Sequence, residues 1–180
     1  NSTEVRVIFE DGRMYEANII GSDRLTDIGL VKITASNLIS IAIGNSDKML
    51  VGDLAVAIGH PLTLGAAPTV TTGVVSALQR RLDVGGDVMG TSVTLFGLIQ
   101  TDAPITRGSS GGALINKNGE LIGITTAIAT ADVGAEGLGF AVPVNLALNI
   151  AEGLIKDGKI LHAFLGILGA QHFDIAEDGA

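Results

Sequence analysis

The sequence contains no cysteine and no tryptophan, and only 17% of its residues are charged. The absence of cysteine excludes disulfides, thiolate metal ligands and a thiol nucleophile. Although the mean hydropathy is +0.48, no apolar run approaches the roughly 18 to 20 residues that a membrane-spanning helix needs. The sequence therefore predicts no helix that spans a membrane.

Positive charge is also scarce, because 11 Lys and Arg residues face 19 Asp and Glu residues, for a net charge of −8. The basic residues do not cluster beyond Arg80 and Arg81, whereas a protein that follows a phosphate backbone needs a basic face. No nucleic-acid partner is therefore expected. Glycine, in contrast, occurs 25 times, which indicates many turns or a site built from backbone groups.

Short β-branched segments dominate the pattern, and Gly, Pro, Asn or Asp separates most of them. This spacing is typical of an antiparallel barrel or sandwich. One helix is predicted, with Pro143 in its first turn and Gly158 at its end. The alternation of strands and helices that a parallel α/β fold requires is absent. The predicted strands comprise residues 4–9, 13–20, 27–33, 40–43, 53–58, 69–78, 97–101, 112–115, 120–127 and 139–142.

The densest chemical signal is the run GSSGG at residues 108–112. Flanking glycines allow a tight turn that exposes a serine hydroxyl and places backbone N–H groups beside it, although a plain Gly/Ser loop would read the same way. The run also fits Gly-x-Ser-x-Gly, but that nucleophile elbow must lead from a strand into a helix. Residues 113–127 predict a hairpin instead, and a serine turn before a hairpin in an all-β chain is typical of chymotrypsin-like barrels.

Six longer runs are TDIGLVK (26–32), AIGHP (57–61), TVTTGVVSAL (69–78), IQTDAPITRGSSGGA (99–113), GELIGITTA (119–127) and GLGFAVPVN (137–145). In this order, and over nearly the whole chain, they resemble the HtrA/Deg family of trypsin-fold serine proteases. The resemblance implies an all-β, chymotrypsin-like double six-stranded β-barrel with a C-terminal helix. The first barrel is expected to lack its opening strands.

The resemblance also implies a His-Asp-Ser triad in which Ser110 is the nucleophile and Asp27 is the acid. The oxyanion hole falls on Gly108, Ser109 and Ser110, through the backbone N–H groups of Gly108 and Ser110. Asp27 fits on physical grounds as well, because it opens an apolar strand where a carboxylate can be held against an imidazole. An isolated aspartate of this kind is more often a turn or capping residue. No cofactor and no metal is expected.

The triad histidine is missing from its expected place ahead of Asp27. His60, His162 and His172 all follow Asp27 and are in the wrong order for the triad. We expect His60 to be a structural or surface residue and the other two to be exposed. By resemblance the base lies a few residues before Asn1, so this chain alone is expected to be inactive, as a piece truncated at both ends.

Substrate selection is expected to depend on residues beside the nucleophile: Pro104, Ile105, Thr126, Ala127 and Ile128. All are small or apolar. A pocket without charge cannot pair a Lys or Arg side chain, which predicts cleavage after small or medium aliphatic residues such as Val, Ala or Ile. The alternative is that these residues pack the second barrel, and they could do both.

The expected organisation is a serine protease domain followed by the beginning of a PDZ domain. Two loops, 81–94 and 129–137, are expected to be mobile. The expected bounds are 1–160 for the protease domain, with 1–60 as the partial first barrel, 69–142 as the second barrel and 143–157 as the helix, and 163–180 for the PDZ segment.

The resulting functional prediction is a serine endopeptidase of the HtrA type that degrades unfolded or misfolded polypeptides in protein quality control. The alternative is a non-catalytic protease-fold scaffold or a chaperone-like peptide-binding protein. The resemblance further implies an extracytoplasmic location, whether periplasmic, secreted or membrane-anchored. It also implies a homotrimer or higher oligomer, and it allows a membrane tether outside this chain.

Overall fold

The computed structural model describes residues 4–60, 67–84, 93–106, 108–126 and 138–163. These residues form nine strands, a short 3-10 helix (Ser46–Lys48) and one α-helix. The strands are β1 (Val5–Ile8), β2 (Met14–Asp23), β3 (Ile28–Ile33), β4 (Leu54–Gly59), β5 (Thr69–Val84), β6 (Val93–Thr101), β7 (Ala113–Ile115), β8 (Leu121–Thr126) and β9 (Gly139–Pro143), and the helix is α1 (Val144–Asp157).

Strands β1, β2 and β3 form an antiparallel sheet in that order. The predicted hairpin between β1 and β2 is confirmed, because Gly12 has a φ of +83° and its N–H donates to the Phe9 carbonyl at 2.9 Å. Such a positive φ favours glycine, which has no Cβ to clash. Within the described residues, the first strand set is therefore a three-stranded sheet.

The six later strands close into an antiparallel barrel with the order β4-β5-β6-β9-β8-β7. The predicted all-β fold with a C-terminal helix is confirmed. The expected boundary between the two barrels is wrong. The expected bounds put the strand at 53–58 in the first barrel, but this strand is β4 of the closed second barrel. It pairs with both β5 and β7 and buries Ala55 and Ala57 in the core of that barrel. Membership of a sheet depends on such distant partners, which local sequence does not show.

The strand predicted at 40–43 is not a strand of either sheet. Its one ladder contact is an isolated bridge between Ile43 and Leu121. Ile41 and Ile43 are exposed, and Ile39 before them is fully exposed. The alternating isoleucines therefore predict a strand, but this segment has no partner strand in the described part of the chain.

The predicted loop 81–94 is strand at both of its ends, because β5 continues to Val84 and β6 begins at Val93. The Thr94 hydroxyl donates to Asp83 across the two strands at 2.5 Å. The middle of that predicted loop, and all of the predicted loop 129–137, lie outside the described residues.

Two apolar clusters stabilise the fold. One fills the barrel, and the other lies where the barrel, the first sheet and α1 meet. The barrel cluster includes Val75, Ile99, Leu114 and Ile122, and the second cluster includes Ile28, Leu95, Leu98, Val142, Ile150 and Leu154.

Helix α1 ends where the sequence predicts. Gly158 has a φ of +70°, and its N–H donates to the Leu154 carbonyl at 3.0 Å. The buried side chains recur at helical spacing, and β2 approaches them closely at Gly21, where a Cβ would come within 2.9 Å of Leu154 Cδ2. The buried residues of the helix are Val144, Ala147, Ile150 and Leu154.

Replacing Leu154 by alanine tests the contact between helix and sheet. Leu154 is 1% exposed, so Leu154→Ala should lower the free energy of unfolding by about 2–5 kcal/mol through lost burial and a residual cavity. Ile155 is 69% exposed, and Ile155→Ala should change it by less than about 0.5 kcal/mol. Chemical denaturation measures both variants, and equal losses would contradict this account of the packing.

Candidate active site

Ser110 lies on a tight turn between β6 and β7. Gly108 and Gly111 on either side have φ values of +92° and +82°, in the region that favours glycine. The Gly112 N–H donates to the Ser109 carbonyl at 3.0 Å and closes the turn. Ser110 itself is exposed. The glycines identified in the sequence thus present an accessible serine on a hydrogen-bonded turn.

Strand β8 holds this turn through Thr125, which is 2% exposed. The Gly111 N–H donates to the Thr125 carbonyl at 2.7 Å, and the Thr125 N–H donates to the Gly112 carbonyl at 2.9 Å. The Thr125 hydroxyl adds a third hydrogen bond, to the Ser109 carbonyl at 2.5 Å. Three bonds from one buried residue therefore fix the backbone on both sides of Ser110.

Two glycines let the same turn pack directly on the end of β4. A Cβ on Gly59 would lie 2.8 Å from the Cβ of Ser109, and a Cβ on Gly112 would overlap the Ile58 carbonyl oxygen. Either substitution would displace the turn. His60, which follows Gly59, is exposed.

Strand β5 holds the segment that leads into the turn. The Val74 N–H donates to Asp102 Oδ1 at 2.6 Å, and the Thr71 hydroxyl donates to the Pro104 carbonyl at 2.8 Å. A Cβ on Gly73 would overlap the Asp102 carboxylate. No sequence pattern marks Asp102 or Thr71 for this role, because each acts on a partner about 30 residues away in the chain.

Asp27, the predicted triad acid, contacts the barrel next to the serine turn. The Thr126 hydroxyl donates to Asp27 Oδ2 at 2.7 Å, across 99 positions of sequence. Thr126 is 3% exposed, whereas Asp27 is exposed and has a φ of +59°. Thr126, predicted as a pocket residue, is thus placed as a partner of Asp27.

A second carboxylate lies four residues before Asp27. Asp23 is 8% exposed, and its Oδ2 accepts from the Thr26 N–H at 3.1 Å and the Thr26 hydroxyl at 2.5 Å. Its Oδ1 lies 2.8 Å from Nε2 of His162. Burial alone would raise the pKa of Asp23, but the hydrogen bonds from Thr26 and His162 outweigh it, and the pKa is lowered from its ordinary value.

The three histidines have separate surroundings. His162 is exposed, as the sequence predicts, and its imidazole is paired with Asp23. Within the described ranges, no hydrogen bond joins a histidine to Asp27 or to Ser110. His172 lies outside the described residues.

The predicted pocket residues divide between two environments. Ile105 is 5% exposed and belongs to the barrel cluster, so its side chain packs the core, while Pro104 is exposed. A small cavity beside Ser109 is lined by uncharged residues, Pro104 among them. Ala127 and Ile128 lie outside the described residues.

Two further features are absent from the part of the chain that the structure describes, a metal site and a membrane-spanning helix. No group of three or more His, Asp or Glu residues there is placed to hold a metal ion. Among the described helices, none has the length and apolar character to cross a membrane.

Comparison with known proteins identifies the family of this chain. The family model of the trypsin-like peptidase domain matches residues 1–124. The chain belongs to the trypsin-like peptidase family.

Within that family, its relatives confirm the resemblance to HtrA/Deg proteases. The periplasmic pH-dependent serine endoprotease DegQ of Escherichia coli (strain K12) is 48% identical over 169 residues, covering 93% of this chain and 35% of that protein. The probable periplasmic serine endoprotease DegP-like of Buchnera aphidicola subsp. Schizaphis graminum is 46% identical over 173 residues, covering 95% of this chain and 34% of that protein. This chain thus spans about a third of the length of the curated relatives it matches.

A solved structure extends the similarity to three dimensions. The HtrA-type protease AlgW with decapeptide aligns with a TM-score of 0.78 at 38% identity. The alignment covers 93% of this chain and 49% of that one.

The hydroxyl of Thr126 can be tested by a pair of substitutions. Thr126→Val removes the donor to Asp27 and should lower the free energy of unfolding by about 1.5 kcal/mol or more, since a hydrogen bond to a charged group contributes about 1.5–3 kcal/mol. Thr126→Ser keeps the hydroxyl and should lower it less. The same loss in both variants, measured by urea denaturation, would contradict the assigned contact.

Proposed function

We propose that this chain is the protease body of a serine endopeptidase of the HtrA type that degrades unfolded or misfolded polypeptides outside the cytoplasm. One observation carries the proposal: Thr125 and Thr126, adjacent in β8, hold the Ser110 turn and the Asp27 carboxylate respectively. Ser110 and Asp27, which are far apart in the sequence, are thereby both held by the same end of β8. The family membership supports the same assignment.

In the proposed mechanism, Ser110 Oγ attacks the scissile carbonyl while a histidine removes its proton. Asp27 orients that histidine and stabilises the imidazolium that forms. The backbone N–H groups of Gly108 and Ser110 donate to the oxyanion of the tetrahedral intermediate, an interaction whose loss typically costs about 2.7–4 kcal/mol of transition-state stabilisation. The imidazolium then returns its proton to the leaving amine.

We place the histidine outside these 180 residues. His60 is exposed at the end of β4, and His162 is paired with Asp23 rather than with Asp27. The triad order of this fold family, with histidine ahead of aspartate, supports a base that precedes Asn1 in the natural polypeptide.

The rest of the proposed biology rests on the relatives. Their printed names include periplasmic serine endoproteases and an HtrA-type protease with decapeptide, which supports polypeptide substrates and an extracytoplasmic site of action. The resemblance to HtrA/Deg proteases, rather than these names, leads us to propose a PDZ domain beginning at residues 163–180 and a homotrimer or higher oligomer, and it allows a membrane tether outside this chain.

Labelling with a fluorophosphonate probe tests the catalytic assignment. In the natural protein with its triad base, Ser110 should be labelled, and Ser110→Ala should abolish both labelling and peptide cleavage. Ser40 is exposed, and Ser40→Ala should be labelled as the wild type is. The 180-residue chain alone should be labelled slowly or not at all.

A wild-type protein that contains the base and is not labelled would favour the non-catalytic scaffold. Strong labelling of the 180-residue chain would contradict the placement of the base outside it.

Substrate preference gives a separate test of the proposed pocket. Because the described residues that line the cavity beside Ser109, Pro104 among them, carry no charge, peptides with Val, Ala or Ile before the cleaved bond should have kcat/KM values at least about tenfold above the matched Lys peptide. Competition between the four peptides, followed by mass spectrometry, gives the ratios. Preferred cleavage after Lys would contradict the assignment of the pocket.

A further inference from the structure

The turn between β2 and β3 carries Asp27 and is organised around a buried carboxylate. Asp23 accepts two hydrogen bonds from Thr26, one from its N–H and one from its hydroxyl, both on Oδ2. Its other oxygen, Oδ1, contacts His162. Asp23 is 8% exposed, so these three contacts replace most of its solvation by water.

The contacts of Asp23 fix the backbone immediately ahead of Asp27. Asp27 has a φ of +59°, a backbone conformation that non-glycine residues seldom adopt and that the surroundings must support. The bonds to Thr26 hold the preceding residue in place, while Thr126 contacts the tip of the Asp27 side chain. Strand β3 begins at Ile28 and pairs with β2, which restrains the backbone after Asp27, so Asp23 contributes the restraint ahead of it.

His162 attaches the same carboxylate to a different part of the molecule. It follows the end of α1, and its contact with Asp23 spans 139 positions of sequence. The groove around His162 is lined by apolar or hydroxyl residues, with His162 as its ionisable group among the described lining residues: Leu25, Thr26, Phe96, Leu98 and Leu146. Within the described residues, the charged group paired with this imidazole is Asp23.

We propose that Asp23 is a positioning residue for the triad acid Asp27, and that His162 makes this positioning depend on pH and on the docking of the segment after α1. The inference rests on the proposed function, because it takes Asp27 as the triad acid. Neither Asp23 nor His162 touches the reacting atoms.

The direction of the pH dependence follows from the two groups. A protonated imidazole donates a charge-assisted hydrogen bond to an ionised carboxylate, and such a bond is about twice as strong as a neutral one. Asp23, whose pKa is lowered, stays ionised, and the charged form of an imidazole is the one that acid favours. The contact is therefore strongest at mildly acidic pH and weakens as the pH rises.

The experiment uses the natural protein with its triad base and measures kcat and KM on one peptide substrate from pH 6 to pH 9. Asp23→Asn should lower kcat about tenfold while KM changes less than twofold, because it disturbs the acid and not the substrate site. His162→Arg keeps a positive charge at every pH. Its kcat relative to the wild type should be near one at pH 6 and rise to about threefold at pH 8.5.

Three further variants complete the set. His162→Ala should reduce kcat most at pH 6 and least at pH 8.5. Leu50 is 68% exposed and takes no part in the contact between Asp23 and His162, so Leu50→Arg adds a positive charge elsewhere and should leave the pH profile of the wild type unchanged. Asp47 is exposed in the 3-10 helix, and Asp47→Asn controls for the loss of one carboxylate.

Wild-type kcat for Asp23→Asn, or a His162→Arg ratio that does not change with pH, would overturn the inference. If Asp23→Asn does not fold, the opposite pH trends of His162→Arg and His162→Ala decide the question. Full activity of Asp27→Asn and Ser110→Ala would instead show that the proposed function itself is wrong. Loss of activity in those two, with unchanged His162 and Asp23 variants, overturns this inference alone.

Discussion

The candidate site depends on the hydrogen bonds of two adjacent residues at the end of β8. Neighbouring side chains on a strand point to opposite faces, so the Thr125 hydroxyl reaches the Ser109 carbonyl while the Thr126 hydroxyl reaches Asp27. β8 is itself paired on both sides, by β7 and β9. The relative placement of serine turn and aspartate is therefore set by a strand in the closed barrel, which moves less than a loop would.

Local signals in the sequence were sufficient wherever one short segment decides its own conformation. The hairpin at Gly12, the end of α1 at Gly158 and the glycine-bounded turn at Ser110 all depend on positive φ values that glycine supplies. Partners far apart in the chain were not predictable in this way. The prediction for β4 is wrong, because its alternating pattern fits a strand of either sheet. Only its pairing with β5 and β7 shows that it belongs to the barrel.

The residues of the candidate site show the same difference between local sequence signals and distant partners. The serine turn has a visible sequence pattern, and Asp27 is identified through the family resemblance. No sequence pattern assigns a role to Asp23, Asp102 or Thr125. Each of these is a common polar residue whose role depends on a partner 16 to 139 positions away. A buried carboxylate must find hydrogen-bond donors in the folded chain, but the sequence does not reveal which donors they are.

Asp27 has a second support outside the barrel, in addition to the strand that also holds the serine turn. The serine turn is held entirely within the barrel, by β4, β5 and β8. Asp27 is held by the barrel through Thr126 and by its own turn through Asp23, and that turn contacts the segment following α1 through His162. In the proposed arrangement, a change in the docking of that segment would reach the acid through Asp23, which among the described residues is bonded to both Thr26 and His162.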